Sequence, residues 1–133
     1  MPVQIILTRN RFPEVLRQMR DEASKIVRET AFQIQTNVLE GMSSAHSGRI
    51  YGDHQASAPG EMPAIDIGNL IGSVQVEAEP GAAEAFVYTG AEYSAHLEFG
   101  TIHIAARPFM TPAVEQERTG FERRFADLDR MLR

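Results

Sequence analysis

Apolar residues recur in one continuous series from Pro13 to Glu40. Leu16, Met19, Ala23, Ile26, Val27, Ala31, Ile34 and Val38 follow three- and four-residue spacings, and Arg17, Arg20, Asp21, Lys25, Arg28 and Glu29 fall mostly between them. That period places one apolar face on an amphipathic helix. Pro13 suits its first turn and Gly41 its C-cap. At 1.5 Å per residue the helix would be on the order of 40 Å long, more than packing on a small sheet requires. Two layouts fit. Either the helix runs whole and its far end packs on a neighbouring subunit, or it breaks near Thr30 and both halves cover one core.

Elsewhere the period is two. Val3, Ile5 and Leu7 alternate with Gln4 and Ile6, which predicts an edge strand before the polar corner at Arg9–Arg11. Ser73 to Glu79 alternates with Val74, Val76 and Ala78 on one side. Glu84 to Thr89 sets Phe86 and Tyr88 against Ala85 and Val87, and Pro80-Gly81 between them is a turn signal. The pair reads as an antiparallel hairpin, preceded by a short helical turn over Asn69 to Ile71. Tyr93 and Leu97 are one helical turn apart, with Gly100 suited to the C-cap. Ile102, Ile104 and Ala106 alternate again, predicting a short half-buried strand. Thr111 and Pro112 give a helix start, a hydroxyl cap followed by proline at the first helical position. From Pro112 to Leu132, Val114, Phe121, Phe125, Leu128 and Leu132 form a stripe at helical spacing. Gly120 weakens that helix by roughly 1 kcal/mol and marks where it could break. The predicted fold is α+β over residues 1–133 as one domain. It has a long N-terminal helix, a small, mostly antiparallel sheet of three or four strands, and a C-terminal helix.

Between the first helix and the hairpin, Gly41 to Asp66 has little periodicity and is rich in Ser, Gly and Pro. Loops this long are uncommon in compact domains unless they act or are disordered. In an assembly protein such a segment can fold onto a partner. Tyr51 is its one aromatic anchor. The plain alternative is a surface loop without a partner.

Charge narrows the function. With 13 basic against 18 acidic residues the net charge is −5, which argues against a general nucleic-acid binder. DNA passing through without being held is compatible with it. The absence of cysteine removes disulfides and thiolate metal sites. No apolar run approaches the ~20 residues of a membrane span, and the first residues do not read as a signal peptide. The expected origin is cytoplasmic.

Catalytic chemistry finds little support. His96, Glu98 and His103 could be assembled into a metal site by residue type, but their spacing fits no compact ligand motif. Ser94 is two residues from His96 without a nucleophile elbow, and no phosphate-cradling glycine pattern occurs. No enzyme activity and no cofactor are expected.

The stretch from Tyr93 to Ala113, YSAHLEFGTIHIAARPFMTPA, organises the rest. Its pattern Tyr-x-x-x-Leu-Glu-Phe-Gly-Thr, then Arg-Pro-Phe-x-x-Pro-Ala, resembles the C-terminal signature of a family of small siphophage tail-completion, neck and minor tail proteins. The type member of that family is gene product 10 of phage HK-97. Upstream, Ala58-Pro59-Gly60-Glu61-Met62-Pro63-Ala64, then Asp66-Ile67-Gly68-Asn69-Leu70 and Ser73-Val74, resembles a second segment of the family, with Ile67 where threonine is common.

The resemblance implies a structural virion protein that forms a homo-oligomeric ring at the head–tail junction or tail. The ring would assemble in the bacterial cytoplasm against head-completion and tail-tube or tail-terminator proteins. Rings need two different faces of each subunit to meet. The candidate interface residues are Leu16, Met19 and Ile26 on the first helix and Tyr51, Pro59 and Gly60 in the loop. Glu98, Phe99, Gly100, Thr101, Arg107, Pro108 and Phe109 are expected to shape the corner that orients the last helix. The alternative is a soluble, non-enzymatic adaptor or host-directed binding module using the 41–66 loop.

Overall fold

A computed structural model describes residues 4, 11–44, 46–48, 50–51, 54–63 and 69–131. The predicted strand at Val3–Leu7 lies outside the described residues.

Helix α1, Phe12–Ser43, runs unbroken for 32 residues, about 48 Å at the standard rise. Neither Thr30 nor Gly41 interrupts it. Gly41 is not the C-cap but an interior helical residue, and its use is contact. A Cβ there would lie 2.0 Å from Met62 Sδ, so glycine lets the following loop lie against the helix. The helix ends where Ser44 turns extended and its hydroxyl donates to the Gly41 carbonyl at 2.7 Å.

The segment after α1 holds a small antiparallel ribbon, β1 (Ile50–Tyr51) with β2 (His54–Gln55). Helix α2, Asn69–Ser73, leads directly into β3, Val74–Ala78. Strand β3 pairs antiparallel with β4, Ala85–Thr89, in the register Gln75 to Tyr88, Val76 to Val87 and Glu77 to Phe86. This is the predicted hairpin. Val74 is buried, Val76, Ala78, Ala85 and Val87 are half-buried, and Phe86 and Tyr88 stay exposed. Helix α3 spans Ser94–Phe99 and α4 spans Met110–Met131. Gly120 does not break α4, as its other residues are mostly ordinary helix formers.

The fold is α+β, but the main sheet has two strands rather than three or four among the described residues. The predicted strand over Ile102–Ala106 is a closed turn. Thr101 N donates to the Ile104 carbonyl at 2.8 Å, and the Thr101 hydroxyl accepts from the backbone N–H of His103 and of Ile104, each at 3.1 Å. A serine or threonine hydroxyl bonding backbone two or three residues on competes with strand formation.

Helix α1 is the hub, touching α2, β3, β4 and, most extensively, α4. Val38, Met42, Leu70, Val74, Phe109 and Ala113 form the buried core, flanked by Ile34, Met62, Val87 and Leu97. Helices α1 and α4 run antiparallel, since Asn37 meets Glu117 whereas Glu29 meets Arg124. Asn37 is a buried polar clamp. Its amide donates to Glu117 Oε1 at 2.8 Å and to the Ala113 carbonyl at 3.3 Å, and its oxygen accepts from Gln33 at 3.0 Å. Buried residues of α1 begin at Ser24, so its first turns extend past the core.

Candidate assembly surface

The corner between α3 and α4 is built around one carboxylate. The first N–H groups of a helix have no acceptor inside it. Here Glu98 supplies one from the preceding helix. Its Oε2 accepts from Phe109 N and Met110 N, and its Oε1 from Thr111 N, all at 2.9 Å; the Thr111 hydroxyl adds a bond at 2.6 Å. Thr111 therefore does not cap with its own oxygen, as predicted, but donates to a cap. Partial burial pushes the Glu98 pKa up. The Thr111 hydroxyl and the three backbone N–H groups outweigh that, and the net value falls below the ordinary 4.5. A negative charge at a helix N-terminus also matches the helix dipole.

Gly100 closes α3. Its N–H donates to the His96 carbonyl at 2.8 Å. Its φ is +73°, and a Cβ there would lie 2.9 Å from both Ala106 N and the Ile104 carbonyl. Both conformation and space therefore require glycine. Arg107 N donates to the Leu97 carbonyl at 2.6 Å, Pro108 is half-buried, and Phe109 is 2% exposed in the core. Phe99 departs from the expectation. It is 80% exposed and packs nothing into the corner, because α3 turns its other side, with Leu97, to the core.

The upstream motif folds onto this corner. Gly60 N donates to the Ala106 carbonyl at 2.9 Å, and Arg107 Nε to the Ser57 carbonyl at 3.3 Å. A second carboxylate organises the motif itself. Glu61 accepts from Ala58 N at 2.9 Å, from Ser47 N at 3.1 Å and from the Ser47 hydroxyl. The Ser47 hydroxyl, the two backbone N–H groups and nearby His46 hold its pKa down to about 2. Met62 lies against Gly41, and Pro63 is buried. The described parts of the two sequence motifs are thus one hydrogen-bonded unit at the start of α4.

The interface candidates divide. Leu16 is exposed and Met19 half-buried on the overhanging part of α1. Pro59 and Gly60 are exposed, at a turn. Tyr51 lies in β1, paired with His54. Ile26 is corrected: at 4% exposure it belongs to the interior and offers no surface.

Two features were not anticipated. The 101–104 turn carries Ile102 at 94% and Ile104 at 44% exposure, beside Phe99. Between α1, β4 and α4 lies an open cleft of about 460 Å³, walled by Val27, Ile34, Val87, Met110, Val114 and Phe121. The alternation of Ile102 and Ile104 was visible in the sequence but pointed to a strand. The cleft depends on how three elements meet and left no linear signal.

Among the described residues, no helix is long and apolar enough to cross a membrane. No protein-family model matches the chain, and no match was found among curated proteins or solved structures.

Proposed function

We propose that the chain is a structural virion protein of a tailed phage or prophage, acting in head–tail joining or tail completion by assembling into a ring. One observation carries the reading. The two segments that resemble the siphophage tail-completion and neck family, 58–74 and 93–113, meet in their described parts through the Gly60 to Ala106 hydrogen bond, with Arg107 bonding Ser57 just ahead of the first segment. The polar groups of that corner serve the fold: both Glu98 oxygens and both Glu61 oxygens are occupied by backbone and hydroxyl donors. Glu98 is therefore a cap rather than a ligand for metal beside His96 and His103. The corner turns Phe99, Ile102 and Ile104 outward, with Thr101 and His103 exposed among them. Outward-facing apolar side chains held by a hydrogen-bonded turn suit docking between subunits or to neighbouring head-completion and tail proteins.

The adaptor alternative would use the 41–66 loop. The described part of that loop is instead tied to the corner through Gly60 and Ser57, which favours the virion reading. No cofactor is invoked, and DNA enters only as cargo moving through the ring. The test is to add purified protein to tails and to DNA-filled heads of the phage or prophage that encodes it. Binding confined to one end of either particle is the expected result; binding to neither would refute the role.

A further inference from the structure

Between Arg49 and Arg118 the sequence holds a single Lys or Arg, which is Arg107. The fold puts it at the joint of the two motifs, half-buried beside the exposed turn at Pro59 and Gly60. Its Nε donates to the Ser57 carbonyl at 3.3 Å. The other N–H donors of its guanidinium meet no acceptor, and no carboxylate comes within ion-pair range, among the described residues. The two carboxylates of the corner are committed elsewhere. Glu98 is taken up by the start of α4, and Glu61 by Ser47 and Ala58. A cation drawn partly out of water needs a partner, and a guanidinium fork fits one planar oxyanion bidentately.

The matching charge stands at the other end of the molecule. Glu79 and Glu84 flank the turn of the β3–β4 hairpin, both exposed and with no cation in ion-pair range among the described residues. That turn is fixed against α1, where Gly81 N donates to the Ser24 hydroxyl at 2.9 Å. The motif joint sits at the far end of the same helix, where Met62 lies against Gly41. Ser24 and Gly41 are 17 positions apart, about 26 Å along a helix. Two side chains cannot bridge that distance, so the hairpin turn cannot serve the Arg107 of its own copy. A DNA phosphate suits the site less well. One cation in a stretch otherwise carrying only acids is not the basic stripe that holds a nucleic-acid backbone.

We infer that Arg107 of one copy receives the hairpin-turn carboxylates, Glu79 and Glu84, of a second copy of this chain. The inference rests on the ring-forming reading above and gives it a contact. Turn and joint are different surfaces, so the interface is heterologous and repeats head to tail. It closes into a ring if the rotation per subunit allows, and otherwise runs on as a filament. An ion pair of this kind sets partner and register more than it supplies affinity.

Charge exchange tests the contact. Arg107→Glu and the double variant Glu79→Arg/Glu84→Arg are purified separately. Their masses are read by light scattering, alone and after mixing, at a concentration where the wild-type chain assembles. Each variant alone sets like charges against each other and is expected as a monomer. The mixture sets opposite charges at both kinds of junction and is expected to regain the wild-type mass. Glu92→Arg, at an exposed carboxylate outside the contact, should change nothing. The contact is overturned if the hairpin double variant alone keeps the wild-type mass, or if the folded variants stay monomeric when mixed. Melting curves show whether Arg107→Glu folds. If it does not, the hairpin variant, altered only at exposed positions, decides the matter by itself.

Two other owners of the site have their own signatures. If Asp53 or Asp66, both outside the described residues, holds Arg107, then Arg107→Glu lowers the melting temperature and the hairpin variant keeps the wild-type mass. If DNA phosphate holds it, a labelled duplex is retarded by the wild-type chain but not by Arg107→Glu, again with the hairpin variant at wild-type mass. Either result overturns the self-contact, as does a wild-type chain that is monomeric at every concentration. The contact and the ring fail separately. Closed particles formed by the hairpin double variant keep the ring and remove this contact. Open chains that only the mixture restores uphold the contact and remove the ring.

Discussion

Replacing Glu98 with alanine should cost more than any other single change at a polar residue of the corner. The substitution strips the acceptor from three backbone N–H groups and one hydroxyl at the start of α4. Hydrogen bonds to charged groups contribute about 1.5–3 kcal/mol each when protein surrounds them, and less where water can take over. Thr111 is exposed, so water replaces its two bonds at little cost. Phe109 N and Met110 N are partly buried and pay more. These bonds are themselves the helix cap, whose ordinary loss is about 0.5–2 kcal/mol; with two of the N–H groups partly buried the expected loss lies at and just above the top of that range, about 2–3 kcal/mol. For a chain of 133 residues, each kcal/mol moves the melting temperature by roughly 3–5 °C, which puts the drop at about 6–15 °C. Glu98→Gln keeps one acceptor oxygen but loses the charge and turns an NH2 toward donors, so about half the loss is expected. Urea unfolding followed by far-UV circular dichroism measures both. It should be run at several protein concentrations, because assembly would add a concentration-dependent term. A surface control, Glu122→Ala, should stay within about 0.5 kcal/mol of wild type. If Glu98→Ala were indistinguishable from that control, the corner would not be organised by its carboxylate.

Phe109→Ala should destabilise by about 3–5 kcal/mol, because a fully buried ring leaves a cavity among Val38, Leu70 and Val74; a melting shift near zero would mean the ring is not in the core. Asn37→Ala should cost about 1–3 kcal/mol by leaving the Ala113 carbonyl and Glu117 without their buried donor, and thermal unfolding reads it. Glu98 and Glu61 both have folded pKa values below the ordinary 4.5, Glu61 at about 2. Their stabilisation is therefore fully present above about pH 4.5 and is lost as pH falls through the folded values. Stability should be level from neutral pH to about pH 5 and decline below it, and Glu61→Gln with Glu98→Gln should flatten that decline.

Much of the architecture was legible because it rests on short-range periodicity. The 3.6-residue pattern of α1 and α4 and the alternation of β3 and β4 each reflect one face meeting one core. Pro80-Gly81 and Gly100 marked a turn and a helix end through local conformational preference. What was missed depends on contacts distant in sequence. Gly41 reads as a helix terminator until Met62, 21 positions on in the chain, is seen lying against it. Ile102 and Ile104 alternate as a strand would, but the Thr101 hydroxyl captures the backbone groups a partner strand would need. Ile26 and Leu16 share one stripe in the sequence, yet one is buried and the other exposed, because the core covers α1 only from Ser24 onward. The roles of Glu98 and Glu61 were hidden for the same reason. A glutamate that caps another segment looks, in a linear reading, like any surface acid.

The most direct test of the assembly account is the solution mass of the purified wild-type chain, by light scattering, with negative-stain imaging of the same fraction. The account predicts a closed particle of several copies with a central opening. A strict monomer at every accessible concentration, with no closed particle in the images, would contradict it.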